Sequence, residues 1–141
     1  MQSILINNKH LKQPHMPELK LKQLQYETDS WKHQLEYMSE ECVRFKNRLS
    51  EILKDRFDKN LLEEVDGFQS RFIKHDEIIS VVRDDIVEVD NVLTGKIFQD
   101  GKINKETGKK LMRLRNNMTA AERRFIKMKS EFNKFLSENI L

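Results

Sequence analysis

Residues 61–93 read LLEEVDGFQSRFIKHDEIISVVRDDIVEVDNVL. Within them Leu61, Val65, Phe68, Phe72, Ile79, Val82, Ile86, Val89 and Leu93 recur at alternating steps of four and three, and His75 fills the one place left in the series. A half-buried strand would alternate every second residue, so this beat belongs to a helix. A 3.5-residue repeat keeps one stripe facing a partner along a gently supercoiled path. The same beat flanks this stretch on both sides. Before it come Leu21, Leu24, Thr28, Trp31, Leu35, Met38, Cys42, Phe45, Leu49 and Ile52. After it come Leu111, Leu114, Met118, Ala121, Phe125, Met128, Phe132 and Phe135. Three seams of similar length predict an all-α fold, an antiparallel up-down-up three-helix coiled-coil bundle. Short connections between long helices force antiparallel neighbours.

The expected helices cover about 17–56, 61–98 and 104–137, a single bundle domain over 17–141. Residues 1–16 are polar and without period, and are expected to form a mobile N-terminal arm. Pro17 suits a first helical position, where its missing N–H has no partner to lose. Around the first break Asp58 and Asn60 are both cap residues, and Asn60 with Glu63 has capping-box spacing. Asp100-Gly101 marks the second break. Asn104 or Thr107 then caps the third helix.

Charged residues make up 35% of the 141-residue chain and hydrophobic residues 38%. That mixture suits helices with narrow apolar seams better than a thick globular interior. The charge is unevenly placed. Residues 60–100 hold four bases and ten acids, residues 104–141 ten bases and four acids, and residues 17–59 nine of each. Opposite signs on neighbouring helices can fix their register. On that reading Lys109, Lys110, Arg113 and Arg115 face acids such as Asp84, Asp85, Glu88 and Asp90. If the four bases are instead unpaired, the basic third helix becomes a surface for nucleic acid or an acidic partner. Nucleic acid is the less favoured partner, because the phenylalanines that could stack on bases are committed to the seam.

His75 is the odd seam residue. Folding the chain at its two breaks places it opposite Cys42 and Met128, a polar core layer of Cys42, His75 and Met128. Thiolate, imidazole and thioether suit a soft metal or a redox-sensitive thiol. The plainer account is a register-setting polar residue among ordinary core fillers. No P-loop, nucleophile elbow, dinucleotide-binding glycine pattern or multi-helix Glu-x-x-His set occurs, so no catalytic residue, cofactor or metal site is expected. A lone cysteine favours a reducing compartment. No run of 18 apolar residues is present. The expected location is cytoplasmic, with no membrane partner.

Trp31, Leu35, Glu36, Phe45, Arg48, Leu49 and Glu51 stand in an order that resembles small uncharacterised coiled-coil proteins of Bacteroidetes-type bacteria, over about one helix. The resemblance implies a bacterial source and no known activity. In the pattern of its three long helices alone, the chain is similar to a spectrin-type repeat. The expected role is non-enzymatic: a protein–protein interaction or structural coiled-coil module. Apolar residues beside the seams would contact a protein partner or a second copy, a homodimer included. Tyr26, Tyr37, Ile73 and Ile126 lead that set, with Leu53, Phe57, Leu62, Ile78, Ile97, Leu136 and Ile140 behind them.

Overall fold

The computed structural model describes residues 2–56, 58–95 and 105–139, with side chains from residue 20 onward. They form three helices: α1 (Gln2–Asp55), α2 (Lys59–Thr94) and α3 (Lys105–Asn139). The fold is an all-α three-helix bundle. Lys32 pairs with Asp90 and Lys46 with Asp76, so α1 and α2 run antiparallel. Glu27–Arg115 and Glu41–Lys129 are both separated by 88 positions, so α1 and α3 run parallel.

The seams read from the sequence are the core. Leu24, Thr28, Trp31, Leu35, Met38, Cys42, Phe45, Leu49 and Ile52 are buried on α1, and α2 and α3 bury theirs at the same spacing. Leu21 and Phe68 are half-buried at the margin. Thr28 satisfies its hydroxyl by donating to the Gln25 carbonyl at 3.0 Å, which lets a polar residue occupy a buried seam place. One end of the core is aromatic. Phe132 lies 4.9 Å from Phe45, 5.2 Å from Phe68 and 5.3 Å from Phe72, ring centre to ring centre, so one side chain ties all three helices. At that end the Arg56 guanidinium also donates to the Asn139 carbonyl at 3.1 Å.

Helix boundaries differ from the expected ones. The backbone of α1 is helical from Gln2, through both Pro14 and Pro17. The expectation began the helix at Pro17, but residues 2–12 contain no glycine or proline and several good helix formers. The cap of α2 is Asp58, not Asn60. Asp58 is extended (φ −74°, ψ 132°), its carboxylate accepts from the Asn60 N–H at 3.3 Å, and its carbonyl accepts from Leu62 N–H at 3.0 Å. Asn60 is thus a donor inside the first turn. Helix α2 ends at Thr94 rather than near Phe98, and the Gly95 N–H closes it on the Asn91 and Val92 carbonyls. Thr107 is not a cap either: it lies within α3 and is buried as one more seam residue. Phe57, Ile97, Asp100, Gly101, Asn104 and Ile140 lie outside the described residues.

Candidate interaction surface

Helices α1 and α3 pack less closely with each other than either does with α2. Between them lies a groove of about 490 Å³. Its floor is Met38 and Phe125, and Tyr37 and Ile126 stand on its walls. The Tyr37 ring meets Phe125 edge-on at 5.9 Å. The groove continues past Ser30 toward Trp31, Tyr26 and Arg115.

Ion pairs clamp the rim. Glu27 receives both Nε and Nη2 of Arg115 at 2.8–3.1 Å. Lys129 donates to the Tyr37 hydroxyl at 2.8 Å and to Glu41 at 2.9 Å, and Tyr37 in turn donates to Glu41 at 3.0 Å. The hydrogen bond from Lys129 is the main cause that holds the Glu41 carboxyl below its usual range, against the opposing effect of burial. These pairs leave the groove floor neutral and apolar. Gln34 adds one unusual feature: its amide donates to Ser30 Oγ at 3.3 Å, while its Oε1 is buried without a hydrogen-bond partner.

The expected surface residues do not form one patch. Tyr26, Tyr37 and Ile126 border the α1–α3 groove, whereas Ile73 is exposed on α2. Leu53, Ile78 and Leu136 are half-buried against the core, and Leu62 is exposed. Val43, Val81, Val87 and Met112 are exposed apolar residues that the sequence reading did not select. No periodic signal singles them out, since each sits next to a seam residue of the same character.

The four bases divide. Lys110 pairs with Glu88 of α2, as the self-contained bundle predicts. Arg115 pairs with Glu27 of α1, a partner not foreseen from the charge balance of helices two and three. Asp90, expected near the basic helix, is taken by Lys32. Lys109 and Arg113 are exposed and have no ion pair among the described residues.

Cys42, His75 and Met128 of the expected core layer are each buried, although His75 and Met128 also line a groove between α2 and α3. The His75 ring stacks over Phe125 at 5.4 Å, and its Nε2 is buried without a partner. Burial is the main cause that lowers the His75 pKa, opposed by Asp76. Burial also pushes the Cys42 thiol up to about 12, with Asp76 adding to the rise. That is opposite to the lowered pKa a reactive thiol requires. Among the described residues no group of three or more His, Cys, Asp or Glu is arranged to hold a metal ion. Nor is any described helix long and apolar enough to cross a membrane.

Comparison with protein-family models, with curated proteins and with solved structures finds no match for this chain.

Proposed function

We propose that the chain is a non-enzymatic protein–protein interaction module of the cytoplasm, built as a structural coiled coil. One observation carries the reading: the open α1–α3 groove, apolar on its floor and lined by the exposed Tyr37 and Ile126. Its occupant is the apolar face of one amphipathic helix, laid beside two parallel helices. Glu27 and Glu41 on the rim are already paired with Arg115 and Lys129, so the apolar floor rather than charge dominates the contact. Tyrosine suits such a contact, combining a large apolar ring with a polar tip.

The test compares the chain with a Tyr37→Ser/Ile126→Ser variant, using a hydrophobic dye together with light scattering and small-angle X-ray scattering. Dye binding that falls at least twofold in the variant supports the groove as the apolar recognition surface. Unchanged dye binding and unchanged mass would remove it.

A second reading is favoured by the unpaired Lys109 and Arg113: α3 presents a basic face to an acidic partner or to nucleic acid. A steep salt slope in DNA binding would support the nucleic-acid form. The Cys42, His75 and Met128 layer is read as core. A metal or redox sensor would need the thiolate that burial disfavours.

A further inference from the structure

The face formed by α2 and α3 has two edges of opposite sign. On the α3 edge Arg113, Arg123 and Lys127 are exposed, and none has an ion pair among the described residues. On the α2 edge Glu77 and Asp84 are likewise exposed and unpaired. Between the edges runs a second groove, apolar around Ile78, Val81, Val82 and Ala120 and charged toward Asp85, Glu88, Lys110 and Arg113. It is continuous along the helices, because neighbouring sections share Asn117, Ile78 and Arg124. Val81 and Ala120 lie at its centre, with Val81 59% exposed.

We infer that this face pairs with the same face of a second copy, forming a closed two-fold dimer. The inference rests on the interaction-module reading and supplies its partner at a different surface. A two-fold axis parallel to the bundle turns one copy over the other without changing the height of any residue. It therefore sets α2 of one copy against α3 of the other at equal levels. The levels are fixed by two pairs within the chain, Glu88–Lys110 and Arg71–Glu131. Interpolating between them puts Glu77 level with Arg123 and Arg124, Val81 with Thr119 beside Ala120, and Asp84 with Arg115, about 3 Å along the helix from Arg113. Across the dimer Glu77 then meets Arg123, Asp84 comes within two residues of Arg113, and groove meets groove. Two bases lie on the α2 side of the groove: Arg71, paired with Glu131, and Lys74, which falls level with Lys127.

The intermolecular pairs lie at an exposed rim, where salt screens them over about 10 Å at 0.1 M. The contact is about 30 Å long and two helices wide, roughly 600 Å² per copy, below the roughly 800 Å² of a stable interface. The dimer is accordingly reversible and salt-sensitive.

Sedimentation equilibrium of the full chain at about 20 mM and about 500 mM salt tests this. The expected result is a mass above the 16.9 kDa of one chain at low salt, returning to one chain at high salt. Glu77→Arg and Arg123→Glu should each weaken association at least tenfold. The double variant should restore most of it, because each copy then carries the exchanged pair. Lys74→Glu should tighten it. Circular dichroism establishes that each surface variant is folded. A chain that stays monomeric at every concentration and low salt overturns the dimer and leaves the α1–α3 groove untouched. A dimer abolished by Tyr37→Ser/Ile126→Ser but indifferent to Glu77→Arg overturns it in favour of that groove. Low-salt binding of duplex DNA through Arg113 and Arg123 by a monomer overturns it in favour of a polyanion partner.

Discussion

At the scale of single residues, two buried groups test what the bundle can do chemically. His75 is kept neutral by burial, and its Nε2 has no partner. Its pKa is lowered on folding, so the unfolded chain binds the extra proton. Stability is then fully present above the ordinary histidine value of 6.5 and falls as pH drops below it, toward the folded pKa. A His75→Leu variant should flatten the melting temperature between about pH 5 and 7. It should also gain about 1 kcal/mol at neutral pH, because the orphaned nitrogen is removed. Equal acid slopes in both proteins would contradict this. Cys42, with its thiol pushed up to about 12, should resist an alkylating reagent in the native protein at pH 8 and react only as fast as the bundle opens. Fast alkylation without unfolding would revive a reactive-thiol role.

At the scale of helices, the caps separate local from global contributions. Asp58→Ala should cost about 1 kcal/mol in denaturant unfolding, whereas Asn60→Ala should cost little, since only its backbone N–H takes part in the cap. Equal costs would return the cap to Asn60. Gly67 sits inside α2 with nothing within 4 Å of an added Cβ, so Gly67→Ala should stabilise by up to about 1 kcal/mol. The seams were legible in the sequence because burial in a coiled coil depends on spacing, and spacing is written residue by residue. Even Thr28 and His75 were assigned to the interior by position against their polarity. Boundaries were less legible: Asp58 and Asn60 offer the same side-chain chemistry two places apart, and only backbone angles choose between them. The α1–α3 groove was half legible. Tyr37 and Ile126 stood out as surplus apolar residues, but their meeting depends on how loosely two non-consecutive helices pack. Arg115 was misassigned for the same reason, since its partner Glu27 lies 88 positions away.

At the scale of the molecule, the phenylalanine cluster couples the three helices. Phe132 is fully buried against rings from α1 and α2. Phe132→Ala should therefore cost about 3–5 kcal/mol and lower the protection of all three helices together, as read by hydrogen exchange. Loss confined to α3 would mean that the helices melt separately. The cluster also bears on how the chain is made. Phe45 and Phe72 can meet as soon as α1 and α2 have left the ribosome, 5.7 Å apart as in the finished bundle. The rings that cover them, Phe125 and Phe132, belong to α3, which is made after both. During translation a two-helix hairpin thus waits with an uncovered aromatic cleft, and its lifetime is set by the time needed to produce α3, a few seconds at about 5–20 residues per second. In that interval the uncovered aromatic surface makes the nascent hairpin more prone to aggregation than the finished bundle.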